Sequence, residues 1–134
     1  MFGDTVELPP EQSVSDTPEW LDDTRKSITE AGDYLAFDDG DEVRTIALHE
    51  GWTRIGRSLS AEVRIDDPTV SRRHALVHRD GDTIRVLDDR SLNGVFRNGH
   101  RVELDELADG DTIAVGRFEL HFIQLTDDRE PALA

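Results

Sequence analysis

The stretch from Ile55 to Gly99, IGRSLSAEVRIDDPTVSRRHALVHRDGDTIRVLDDRSLNGVFRNG, decides how this chain is read. Three short pieces within it share one character: Ile55-Gly56-Arg57-Ser58, then Val70-Ser71-Arg72-Arg73-His74, then Ser91-Leu92-Asn93-Gly94 followed by Asn98-Gly99. Each sets short polar residues, arginine or glycine between runs that alternate apolar with polar. Each therefore reads as a loop joining two strands.

Working outward, the same alternation recurs on both sides. Tyr34–Phe37, Val43–Leu48, Trp52–Ile55, Val63–Ile65, Ala75–His78, Thr83–Leu87, Val95–Arg97, Thr112–Val115 and Phe118–Ile123 are short and separated by Asp-Asp, Asp-Gly, Asn-Gly and Gly-Arg turn signals. Short strands with turn chemistry at this spacing predict an all-β sandwich or barrel. Loops of a sandwich cluster at its ends, and clustering would bring together a rigid fork of donors from Arg57, a hydroxyl from Ser71 and a carboxamide from Asn93. None of these is a strong nucleophile or base at neutral pH. The set suits the gripping of an oxyanion.

Composition limits the alternatives. The 134 residues suffice for one domain with a modest core, not for two substantial ones. The absence of cysteine removes disulfides and thiolate metal ligands, and no stretch approaches the roughly 18 apolar residues of a membrane span. The expectation is a soluble cytoplasmic protein without membrane attachment. A net charge of −15 argues against nucleic acid as partner. That charge is uneven: residues 54–101 hold ten arginines against seven acids, a local +3 that leaves −18 for the rest. A basic region inside an acidic chain fits a receptor for a small anionic group.

The flanks read differently. Residues 1–16 carry Pro9-Pro10 and no periodicity, as a flexible acidic arm would. Asp16 or Thr17 as cap, Pro18 in the first turn and the acids at Glu19, Asp22 and Asp23 predict a short amphipathic helix over 18–31 within the segment 17–32. A linker with nascent helicity is the other reading of that segment. Residues 126–134 form a polar tail.

The order Gly56-Arg57, Ser71-Arg72-Arg73-His74, Asn93-Gly94 and Asn98-Gly99, with Asp109-Gly110-Asp111 and Gly116 behind it, resembles the forkhead-associated (FHA) domain, a family of phosphothreonine-binding modules. The resemblance covers about residues 33–125 and implies a sandwich of about eleven strands. It implies that Arg57 and Ser71 contact the phosphate, that Arg72 adds a contact, and that Asn93 bonds the main chain of the bound peptide. It implies a structural role for Gly56, His74 and Gly94. Arg90, Ser91 and Leu92 become the candidates for contact with the residue three places after the phosphothreonine. Leu92 and Val95 depart from the family pattern, in which threonine is usual at both places.

The function expected from residues and resemblance together is phosphothreonine-dependent binding of partner proteins in signal transduction, without catalysis and without cofactor or metal. His74 as a general base is the weaker reading of that residue, since no nucleophile stands in a recognisable relation to it. Thr5, with Asp4 before it and Leu8 three places on, is a candidate phosphosite for a Ser/Thr protein kinase. A phosphorylated arm folding back onto Arg57, Ser71 and Asn93 would close the site. Some small bacterial members of the family that regulate metabolic enzymes have a similar layout, which makes such enzymes candidate partners. The competing reading is a phosphate-independent scaffold that docks proteins through a strand face and the 18–31 helix.

Overall fold

Alternation along the chain produces two stacked sheets whose inner faces are apolar. The structure, a computed structural model, describes residues 5–7 and 17–126. After helix α1 (Glu19–Ser27) come β1 (Gly32–Asp38), β2 (Val43–Leu48), β3 (Gly51–Gly56), β4 (Val63–Arg64), β5 (Ala75–Asp80) and β6 (Thr83–Asp88). The chain continues through β7 (Val95–Arg97), β8 (His100–Val102), β9 (Leu104–Glu106), β10 (Thr112–Val115) and β11 (Phe118–Leu125). One sheet has the order β2-β1-β11-β10-β7-β8 and the other β4-β3-β5-β6-β9. Pairing is antiparallel except between β3 and β4.

Period-two burial explains the sandwich. Ile84 and Val86 of β6 face inward while Thr83, Arg85 and Leu87 keep partial solvent contact; Thr53 and Ile55 of β3 are buried while Trp52 and Arg54 are exposed. Leu35, Phe37, Ile55, Val77, Ile84, Ile113, Leu120 and Phe122 form the centre of the core, with Phe37 meeting Phe118 edge to face at 6.4 Å. Two strands, β8 and β9, were not expected from the sequence.

The helix differs from expectation at both ends. Pro18 occupies the N-cap with extended backbone and supplies no side-chain cap, and the helix stops at Ser27 rather than Ala31. Ile28 is extended, and Gly32 opens β1. The cause is packing: Leu21 is buried on the outer face of the six-stranded sheet with Ala36 and Ile123, and Trp20, Ile28 and Tyr34 close around it. Ile28 reaches this cluster from an extended segment, so the apolar spacing reports the cluster and not helix length. Trp20 stands edge-on to His121 at 5.5 Å, and Arg25 ion-pairs with Asp109 at 2.9 Å. The acidic arm of residues 1–16, apart from Thr5, Val6 and Glu7, and the tail beyond Thr126 lie outside the described residues. No helix among the described residues is long and apolar enough to cross a membrane.

Candidate functional site

The loops after β3, β4 and β6 meet, and backbone hydrogen bonds lock them. Arg57 N donates to Ser71 O at 3.0 Å and Ser58 N to Arg72 O at 3.2 Å, which lays the first loop along the second. Gly56 permits that approach: a Cβ there would stand 2.1 Å from Arg72 O. Asp89 N donates to His74 O at 2.9 Å, and the paired contacts of Arg73 with Asp89, at 3.0 and 3.1 Å, tie the second loop to the third. Arg54 clasps Glu62 at the base of the first loop, and this hydrogen bonding holds the Glu62 pKa down at about 2.

His74 is the buried hub of this arrangement. Its Nδ1 accepts Ser71 N–H at 3.0 Å, which leaves the proton on Nε2 to donate to Gly94 O at 2.9 Å. One neutral imidazole thus joins the second loop to the third. Burial pushes its pKa below the ordinary histidine value against the opposing pull of the Gly94 carbonyl and Asp88. Both ring nitrogens are engaged in loop bonds, which fits the structural reading and leaves no lone pair for proton abstraction.

The candidate ligand-facing side chains come from all three loops. Arg57 is anchored through Nε to Val70 O at 2.8 Å, and its Nη2 lies 3.3 Å from the hydroxyl of Thr5. Asn93 donates from Nδ2 to Val6 O at 2.7 Å and to Thr69 O at 3.0 Å. The Val6 amide in turn donates to Pro68 O at 2.5 Å. Ser71 Oγ accepts Leu92 N–H at 3.0 Å, so its own hydrogen remains to be donated. Thr5 and Val6 of the arm therefore sit where Arg57, Asn93 and the Pro68 carbonyl converge.

The remaining candidates lie around this centre. Arg72 and Arg90 are exposed, Arg90 in the left-handed region at φ 65°. Ser91 Oγ accepts Gly94 N–H at 2.9 Å, shaping the third loop, and Leu92 is half exposed at its tip. Gly94 has φ 90° with the Arg101 guanidinium directly over it. Leu8 lies outside the described residues. Among the described residues no group of three or more His, Asp or Glu side chains could hold a metal ion.

Sequence reasoning did not single out Asp67, Pro68, Thr69 or Arg117. The buried Asp67 carboxylate accepts from Thr69 N at 2.9 Å, from Thr69 Oγ1 at 2.5 Å and from Arg117 Nη2 at 2.6 Å. Burial alone would raise the Asp67 pKa, but the bonds from Thr69 and Arg117 outweigh it and hold the group below the usual carboxylate range. Asp66-Asp67-Pro68-Thr69 was legible as a turn, whereas its partner Arg117 is fifty residues away.

Comparison with known proteins bears on the family and the fold. The model of the FHA domain matches residues 53–116. The chain is 41% identical over 76 residues to the oxoglutarate dehydrogenase inhibitor of Corynebacterium jeikeium, covering 57% of this chain and 53% of that protein. It is 40% identical over 76 residues to the glycogen accumulation regulator GarA of Mycolicibacterium smegmatis, covering 57% of this chain and 48% of the relative. The chain thus spans about half the length of these curated relatives. A solved structure from work on phosphothreonine-dependent FHA domain interactions superposes with a TM-score of 0.67 at 38% identity, covering 70% of this chain and 97% of that one. With that domain matched almost end to end, and with eleven strands in the same two-sheet sandwich, the chain belongs to the FHA domain family.

Proposed function

We propose that this chain is a phosphothreonine-dependent protein-binding module whose receptor is built from Arg57, Ser71 and Asn93, with Arg72 at its rim. The observation that carries the reading is the seating of Thr5 and Val6: a threonine hydroxyl beside the Arg57 guanidinium, and the following residue held through its amide by Pro68 O and through its carbonyl by Asn93. A phosphate on such a hydroxyl adds about −1.5 to −2 charges and three acceptor oxygens where guanidinium and hydroxyl donors already point. The Val6 side chain is about half exposed, so the grip on the peptide unit is through main-chain atoms and tolerates many sequences. Arg90, Ser91 and Leu92 stand on the third loop, as contacts for residues further along the peptide.

The arm supplies one such peptide. Phosphorylation of Thr5 by a Ser/Thr protein kinase converts a single long hydrogen bond into a charge-assisted anchor, and the arm, being part of the chain, competes at high effective concentration with peptides from other proteins. The unmodified arm then competes weakly for the receptor, and the phosphorylated arm closes it. Relatives named as an oxoglutarate dehydrogenase inhibitor and a glycogen accumulation regulator support metabolic enzymes as the partner class. The test is to titrate one phosphothreonine peptide into unmodified and Thr5-phosphorylated protein. The phosphorylated form should bind at least about tenfold more weakly; equal affinities would end the switch while leaving the receptor intact.

A further inference from the structure

Five consecutive carbonyls on the loop between β4 and β5 all serve the site. Pro68 O accepts the Val6 amide, Thr69 O accepts Asn93, Val70 O accepts Arg57 Nε, Ser71 O accepts Arg57 N, and Arg72 O accepts Ser58 N. A carbonyl run has no side-chain means of aiming itself. Its direction must come from whatever fixes the loop.

Thr69 is where the loop is fixed. Its hydroxyl donates to Asp67 Oδ2 and accepts Arg117 N–H at 3.1 Å, its amide donates to the same Asp67 oxygen, and Arg117 Nη2 closes the set on Asp67 Oδ1. Thr69 and Asp67 are each only 6% exposed. The turn between β10 and β11 is seated on the same residue: a Cβ on Gly116, at φ 60°, would stand 2.6 Å from Thr69 Oγ1 and 2.7 Å from Thr69 O. Both N–H groups of the Asn93 amide are accounted for by Thr69 O and Val6 O, so the direction of the Thr69 carbonyl sets the direction of the hydrogen bond to the ligand.

We infer that Thr69 is a positioning residue of the receptor, held by Asp67 and the β10–β11 turn, which aims the Pro68 and Thr69 carbonyls so that the amide and carbonyl of the residue after the phosphothreonine are gripped. The inference rests on the reading of the site as a phosphothreonine receptor. It assigns Thr69 no contact with phosphate: the hydroxyl acts through the backbone and through Asn93. Preorganised carbonyls lower the ordering cost of binding, and a small misdirection weakens them steeply.

The experiment uses the full chain and a phosphothreonine peptide of residues 1–10, with a second peptide N-methylated at the residue after the phosphothreonine to remove the N–H that Pro68 O accepts. In the wild type, N-methylation should weaken binding about tenfold. Thr69→Val should weaken the unmethylated peptide at least about tenfold and shrink the N-methylation penalty to about twofold, and Thr69→Ser should restore binding to within about threefold of wild type. Wild-type affinity in Thr69→Val, an undiminished N-methylation penalty, or a Thr69→Ser no better than Thr69→Val each overturns the inference. Should Thr69→Val not fold, Arg117→Ala carries the test at a side chain that is 64% exposed: a smaller N-methylation penalty supports the inference and an unchanged one refutes it. Arg57→Ala, measured alongside, separates the two levels, since full binding by that variant would mean that the phosphothreonine reading itself has failed.

Discussion

Replacing Arg57 by alanine should remove phosphopeptide binding while leaving the sandwich folded. Nε is committed to the Val70 carbonyl, so the terminal nitrogens are the donors that face the ligand position, and Nη2 already stands 3.3 Å from the Thr5 hydroxyl. A charge-assisted hydrogen bond contributes about 1.5–3 kcal/mol, and two of them on a half-solvated rim give about 3 kcal/mol after screening. Dissociation constants should therefore rise roughly 150-fold on Arg57→Ala. Arg57→Lys keeps the charge but loses both the fork and the tie to Val70, and should weaken binding by about tenfold or more. The assay is isothermal titration of a phosphothreonine peptide of residues 1–10 into the full chain bearing Thr5→Ala, so that residue 5 of the arm cannot carry phosphate, with thermal unfolding recorded for every variant. An Arg57→Ala protein that is folded and binds within about threefold of its parent would refute the reasoning.

Three further outcomes follow from the same geometry. Asn93→Ala deletes the bonds to Val6 O and Thr69 O and should weaken phosphopeptide by about 1–2 kcal/mol, less than Arg57→Ala because the lost bond to the ligand is to a neutral carbonyl; a larger loss than for Arg57→Ala in the same titration would contradict this ranking. His74, with its folded pKa lowered, binds its proton more readily in the unfolded chain, so it supports the fold fully above its ordinary pKa of about 6.5, and this support is lost as pH falls from there through the lowered folded value. Urea unfolding of wild type at pH 7.5 and pH 5 should show that fall and His74→Gln a flatter profile; parallel profiles would remove His74 as the cause. Leu21→Ala should cost about 2 kcal/mol at the α1 cluster without changing phosphopeptide affinity. A matched loss of affinity would tie the helix to the receptor and revive a docking role for it.

The strands and loops of this fold were legible because each carries a local signal: period-two burial in β3, β5 and β6, and Gly56, Gly94 and the Asp-Asp and Asp-Gly turns between them. β8 and β9 were not, since His100–Val102 and Leu104–Glu106 are three residues each, with one apolar residue apiece, and are separated by Glu103 alone. Their strand character comes from pairing with β7 and β6, which no local pattern reports. The helix end was misplaced for a related reason, Ile28 being apolar to serve a tertiary cluster. In the site, Arg57, Ser71, His74 and Asn93 stand in recognisable loop motifs, whereas the value of Pro68 lies in a carbonyl that is identical in every residue type, and that of Thr69 in a hydroxyl whose partner Arg117 lies 48 residues away. Arg73 stands in the second motif, but its bidentate partner Asp89 lies 16 residues away in the third loop.

The most direct measurement compares two peptides of residues 1–10 that differ only in phosphate on threonine, titrated into the unmodified wild-type chain. The account predicts that the phosphorylated peptide binds at least about 100-fold more tightly, with the difference lost in Arg57→Ala. Equal binding of the two peptides would contradict it.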